Sequence, residues 1–142
     1  MEVSRATNDM IRRTYDMDIV NSILQHPDIW KDIAPEGIEP FDPPYLSDVL
    51  YFIVNDGDGV ITAHPFRDGC KIHPNILPDK RGKLAYEAVE EACQAIFEHG
   101  YTSIYAEIDP KLRHVVMFAK TLGFKPLESD KRDLFIRRLL NS

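Results

Sequence analysis

Residues able to do chemistry gather in two stretches of this chain. The first is Lys80-Arg81-Gly82-Lys83, directly ahead of a long helical pattern. The free N–H groups and the positive dipole end of a helix attract an anion. Two lysines and an arginine strengthen that attraction, and Gly82 lets a ligand come close to the backbone. The stretch is therefore a candidate phosphate-binding turn, and Ile72-His73-Pro74 ends the strand before it. The second stretch is Ile104-Tyr105-Ala106-Glu107-Ile108, whose alternation puts Tyr105 and Glu107 on one face. Imidazole, carboxylate and phenol are the side chains that move protons. Each also has an ordinary structural alternative: a packed imidazole for His73, a solvated or ion-paired carboxylate for Glu107, a core ring with a wet hydroxyl for Tyr105.

The elements that must position these residues follow from period and punctuation. Glu2–Ala6 alternates and reads as a first strand. Met17, Val20, Ile23 and Leu24 recur at helical spacing after Asp16, and Ile29, Trp30 and Ile33 suggest a second short helix after Pro27. Pro35, Pro40, Pro43 and Pro44 then exclude regular structure. Val49–Val54, Val60–Phe66 and Cys70–Ile76 read as strands, separated by the turn residues Asn55–Gly59 and Arg67-Asp68-Gly69. This predicts an antiparallel meander. His64, before a proline at a strand end, reads as structural. A stripe from Leu84 to Phe97 marks an amphipathic helix that stops at His99-Gly100. Thr102–Ile108 is a strand, Asp109-Pro110 a helix start, and Val115–Leu122 the helix face. Phe124–Leu127 and Asp133–Leu139 can pair across Glu128–Arg132. The strand–helix–strand crossover from Cys70–Ile76 to Thr102–Ile108 predicts parallel pairing of those strands.

Composition narrows the function classes. The chain has 142 residues, 44% of them hydrophobic and 28% charged, as expected for one folded domain. Its net charge of -6 disfavours a sequence-independent grip on nucleic acid, which needs basic surface. No apolar run approaches the roughly 20 residues of a membrane span, and the first residues lack the apolar stretch of a secretory signal. The expected location is the cytoplasm, or a cytoplasm followed by packaging into a particle. Cys70 and Cys93 show neither metal-site nor disulfide spacing and read as reduced structural thiols.

Two blocks carry a family resemblance. Strand, Ile72-His73-Pro74, Arg81-Gly82-Lys83 and helix resemble the central motif of the acyl-CoA N-acyltransferase (GNAT) superfamily. Ile104–Ile108, followed by Arg113-His114-Val115-Val116-Met117-Phe118-Ala119-Lys120-Thr121-Leu122-Gly123-Phe124, is similar to that family's fifth strand and following helix. The wording of these motifs also resembles the GNAT-like proteins of tailed bacteriophages, some of them head-assembly or internal virion proteins.

The resemblance implies an α/β GNAT-like fold over 1–142, a mixed twisted sheet with helices on both faces. It implies that Cys70–Ile76 and Thr102–Ile108 diverge toward their C-terminal ends. It implies acetyl-CoA bound with its pyrophosphate at the backbone of Lys80–Ala85, the cofactor set being Ile72, Lys80, Arg81, Gly82, Lys83, Leu84 and Ala85. Acyl transfer to an amine needs a proton acceptor, an oxyanion donor and a proton for the thiolate. Glu107 is the expected base, His73 the competing one, and Tyr105 a replacement acid. The chain departs from the family pattern in spacing and in residue type: four extra residues separate Ile72-His73-Pro74 from Arg81, and four positions differ. Leu84 and Tyr86 stand where small residues are usual, Leu112 where an asparagine is, and Phe118 where a proton-donating tyrosine is. Two functions follow: an N-acetyltransferase acting on an amine of a small molecule or protein, or a catalytically silent GNAT-fold protein used in binding or in phage head assembly with virion proteins.

Overall fold

A computed structural model describes residues 10–127 and 133–139 of the chain. The expected strand Glu2–Ala6 and the connection Glu128–Arg132 lie outside the described residues. The first described strand, β1, is Ile11–Arg13, and a hydrogen bond from the Met10 amide to Glu91 Oε1 (2.6 Å) ties its start to the long helix.

Helix α1 (Met17–Leu24) begins where Asp16 accepts a hydrogen bond from the Asp18 amide, as an N-cap should. Helix α2 (Pro27–Ile33) starts on a proline, whose missing N–H costs nothing there, behind a His26 cap. The proline-rich stretch after it has no regular structure. Strands β2 (Leu50–Val54), β3 (Gly59–Phe66) and β4 (Gly69–Ile76) form the expected meander. A short 3-10 turn (Pro78–Lys80) leads to α3 (Lys83–His99), which ends on Gly100 at φ +129°. Then come β5 (Ser103–Glu107), α4 (Arg113–Thr121), β6 (Lys125–Pro126) and β7 (Leu134–Arg138).

The expected start of α4 at Asp109-Pro110 needs correction. Asp109 closes a turn: its Oδ1 accepts from the Lys111 amide (2.9 Å) and its backbone carbonyl from the Leu112 amide (3.0 Å). An Asx turn of this kind competes with helix initiation. The helix therefore begins at Arg113, with Leu112 at a cap position that makes no side-chain hydrogen bond.

The described strands form a seven-stranded sheet in the order β1-β2-β3-β4-β5-β7-β6, antiparallel except for the parallel pair β4–β5. Alternation gives each strand two faces. One face carries Leu50, Phe52, Val54, Ile61, Ala63, Cys70, Ile72, Ile104 and Phe135, and packs with α3 and α4 into the main core. Ala88, Val89, Ala92, Cys93 and Ile96 are the buried stripe of α3. Each fully buried aliphatic side chain there contributes about 1.5–3 kcal/mol of transfer free energy. Burial also pushes both thiols up to about 12, so Cys70 and Cys93 are inert packing groups.

Among the described residues, the opposite face is covered only in part. Val20 of α1 packs on Val49, Tyr51, Ile53 and Val60, while Tyr105, Leu134 and Ile136 form a separate cluster. Between the two apolar patches, alternation places a polar strip: Thr62 and His64 on β3, Lys71 and His73 on β4, and Glu107 on β5.

Candidate active site

Strands β4 and β5 pair only at Cys70↔Ile104 and Lys71↔Tyr105. Beyond these residues both strands continue, β4 to Ile76 and β5 to Glu107, without further pairing to each other. The sheet thus parts at the C-terminal ends of its one parallel pair, where an open α/β sheet offers a crevice. Gly69 explains the tight end. A Cβ built on it would lie 2.0 Å from the carbonyl oxygen of Ser103, so only glycine lets β4 start this close to β5.

One wall of the opening is the N-terminus of α3. Gly82 caps it with φ +99° and ψ -133°, a conformation open almost only to glycine, and a Cβ there would meet nothing within 4 Å. The first intrahelical hydrogen bond runs from the Tyr86 amide to the Gly82 carbonyl. The amides of Lys83, Leu84 and Ala85 therefore have no acceptor within the helix, and no side chain caps them. Such a turn is suited to an anionic oxygen group. Leu84, at a position where a small residue was expected, packs its side chain against the main core.

The basic residues of this turn behave differently from one another. Lys80 and Lys83 are exposed. Arg81 folds back: its Nε donates to the Ile76 carbonyl (3.0 Å) and its Nη2 lies 3.7 Å from Asp32 Oδ2 on α2. It braces the turn against the end of β4. Ile72 is buried at 4% exposure with its side chain in the main core, so a ligand in the opening could meet only its backbone.

The three residues expected to move protons separate into two groups. His73 and Glu107 lie two residues past the last β4–β5 pair, each on its own strand and on the same sheet face. Lys71 Nζ holds Glu107 Oε1 at 2.9 Å and lies 4.2 Å from the centre of the Phe66 ring. His73 Nε2 is 2.9 Å from His64 Nε2, with ring centroids 4.9 Å apart and planes within 12°. Partial burial, then the adjacent His64 and Lys71, push the His73 imidazole down to about 4 against a weaker upward pull from Glu107. Tyr105 is elsewhere. Its hydroxyl donates to Asp68, in the turn before β4, at the opposite end from the opening. Burial and then that hydrogen bond raise its pKa, and its hydroxyl proton is directed at Asp68, away from the opening.

Two further residues enter the picture. His64, read from sequence as structural, sits beside His73. The signal was present: a hairpin turning at Arg67-Asp68-Gly69 pairs His64 with Lys71 and Thr62 with His73, making the two histidines diagonal neighbours on one face. Tyr86, in the first turns of α3, meets Phe118 of α4 edge to face at 6.0 Å. A phenol thus stands against the Phe118 ring.

Away from the opening, an apolar pocket of about 240 Å³ lies among α1, α2 and the proline-rich loop, under Trp30, Ile33, Ile38 and Phe41. Its lining includes no residue of β4, β5 or α3. Among the described residues, no group of three or more His, Cys, Asp or Glu could hold a metal ion, and no helix is long and apolar enough to cross a membrane.

The sequence matches no protein-family model and no curated protein. The fold does match solved structures. It is similar to the ribosomal-protein-S5-alanine acetyltransferase from Vibrio fischeri, with TM-score 0.67 and 13% identity over 92% of this chain and 93% of that one. It is similar to the PaiA N-acetyltransferase from Thermoplasma acidophilum in complex with coenzyme A, with TM-score 0.66 and 14% identity over 91% and 99% of the two chains. A spermidine N-acetyltransferase SpeG chimera from Vibrio cholerae and hSSAT gives TM-score 0.65 and 13% identity over 92% and 96%. At these identities the likeness is one of architecture: the chain has the acyl-CoA N-acyltransferase fold that its motifs resemble.

Proposed function

We propose that this chain is an acyl-CoA-dependent N-acyltransferase that moves an acetyl group from acetyl-CoA to an amine of a small molecule or protein. The observation that carries the reading is the parted pair β4–β5, with an uncapped helix N-terminus on one side and a strip of proton-transfer groups on the other. Acetyl-CoA would supply a thioester with a fair leaving group. The residues present suit it. The amides of Lys83, Leu84 and Ala85 face no acceptor of their own, Gly82 leaves its side open, and Lys80 and Lys83 add positive charge. Arg81 holds the turn in place through Ile76 and Asp32. On the polar strip, His73 and Glu107 are the groups within the opening able to accept a proton from the amine.

Calorimetry with acetyl-CoA tests the first half of the reading. Binding is expected, and Arg81→Ala should weaken it by about 1–3 kcal/mol, because the turn loses the charged hydrogen bond to Ile76 and the contact with Asp32 that brace it. No heat at millimolar ligand from folded protein would refute the reading. A thiol-release assay over a panel of amines, peptides and candidate partner proteins tests the second half.

A second reading is favoured by one specific finding. Phe118 has no proton to give, and Tyr105 commits its hydroxyl to Asp68. Those losses suit a silent GNAT-fold protein that acts by binding, including in assembly of a phage particle as the sequence resemblance implies. Phe118→Tyr separates the two. In an enzyme it should raise kcat on any amine the wild type acylates, because departure of the thiolate gains a proton donor. In a binding protein it should change only packing against Tyr86.

A further inference from the structure

The contact between His64 and His73 contains more information than its length. His64 Nδ1 lies 3.1 Å from the carbonyl oxygen of Pro65. A carbonyl only accepts, so that nitrogen must carry the proton. In neutral His64 the other nitrogen, Nε2, is then a bare lone pair. It faces His73 Nε2 at 2.9 Å, within hydrogen-bonding distance, with the two ring planes within 12° of parallel. A hydrogen bond between the two requires His73 Nε2 to be the donor. His73 then has one place left for its lone pair, which is Nδ1.

From this chain of assignments we propose that His64 is a positioning residue that fixes the tautomer of His73 and makes His73 Nδ1 the proton acceptor of the site. The proposal rests on the acyltransferase reading for its reaction, but not for its geometry. Acyl transfer from a thioester to an ammonium forms one C–N bond and breaks one C–S bond; the nitrogen gives up two protons, one of which ends on the departing thiolate through water, so one is released net. His73 Nδ1 takes that proton, directly or through water, and gives it to solvent in the next step. His64 takes no proton. It holds Nε2–H of His73 in place, as the Pro65 carbonyl holds His64.

The neighbouring charges explain why His73 takes this role. Lys71 already holds the Glu107 carboxylate at 2.9 Å, so that oxygen serves as a counter-ion. The charged and titratable groups acting on His73 are His64 on β3, Lys71 on β4 and Glu107 on β5. Together with partial burial their net effect keeps the imidazole neutral at neutral pH, with its lone pair available.

The test reads the tautomers directly. Long-range ¹H–¹⁵N NMR of the full chain at pH 7 should show His64 protonated at Nδ1 and His73 protonated at Nε2. His73 found protonated at Nδ1, or the pair found doubly protonated, overturns the proposal whatever the protein catalyses. His64→Phe should leave His73 as a mixture of tautomers and lower kcat about 10-fold or more, part of the 10²–10⁴ typical of one acid–base group, with little change in KM for acetyl-CoA. His64→Gln keeps an acceptor for His73 Nε2–H and should restore both the tautomer and most of the rate. A His64→Phe protein that is folded and as active as wild type also overturns the proposal. If folded wild type shows the assigned tautomers but releases no thiol from acetyl-CoA over the amine panel, the acyltransferase reading fails while the geometry stands.

Discussion

The two ends of the β4–β5 pair are built from the same kinds of residue and do opposite things. At the N-terminal end, polar groups satisfy one another. Tyr105 donates to Asp68, Arg138 donates to Ser103 Oγ at 2.8 Å, and Arg138 lies 3.7 Å from the Asp68 carboxylate. Gly69 brings the backbones into contact there. At the C-terminal end the backbones part, and hydrogen-bonding capacity is left over. The helix amides at Lys83–Ala85 lack an internal acceptor, and the paired histidines retain a lone pair. A tyrosine is therefore structural at one end of a strand pair, while a histidine and a glutamate at the other end are chemical candidates. What separates them is whether their partners come from the same closed network.

Closing the gap that glycine leaves should give the largest effect. In Gly69→Ala the new Cβ meets Ser103 backbone at 2.0 Å, which neither strand can avoid without breaking the register. A loss of about 3 kcal/mol or more is expected, read from urea unfolding, at the upper end for overpacking. A loss under about 1 kcal/mol would show that β4 and β5 are free to slide apart at this end too. At the open end the corresponding change is Gly82→Ala. Nothing crowds the Cβ, so the cost is the backbone strain of φ +99° alone, about 1–3 kcal/mol. Its diagnostic readout is acetyl-CoA affinity, which should fall more than stability does. An unchanged affinity would remove the α3 N-terminus from the binding site.

The smallest effect concerns acid. The folded-state pKa of His73, about 4, is below the usual imidazole value of 6.5. Between those values the unfolded chain binds a proton that the folded chain does not, so stability rises with pH across this window. The contribution is fully present above pH 6.5 and is lost as pH falls toward 4. Water screens a side chain with this much exposure, so the effect on Tm should be modest. Wild type minus His73→Gln, scanned by Tm from pH 7.5 to 4.5, isolates it. Parallel curves would mean that His73 titrates as in the unfolded chain.

Much of this architecture was legible because its signals are local. The stripe of Ala85, Ala88, Val89, Ala92, Cys93 and Ile96 can be satisfied only by a helix with one buried face. Asn55–Gly59 and Arg67-Asp68-Gly69 supply positive φ at Asn55, Gly57 and Arg67, which forces the hairpins. A crossover helix between two strands then leaves little choice but parallel pairing. The glycine-capped start of α3 was legible for the same reason, since a glycine at a helix start is a local event. Other features were not. The three-residue strand Ile11–Arg13 has no period to read and exists only because β2 offers an edge. Asp109 has the composition of a helix cap, but the turn it closes decides otherwise. Tyr105 and Glu107 alternate onto one face identically in sequence. Only the register of β4 against β5 shows that Tyr105 lies at the last pair and Glu107 beyond it. The pairing of His64 with His73 and of Lys71 with Glu107 joins residues from different strands. Residue type and spacing determined which groups could do chemistry. Their partners, and so their protonation and roles, depended on distances of about 3 Å between segments that chain order alone does not specify.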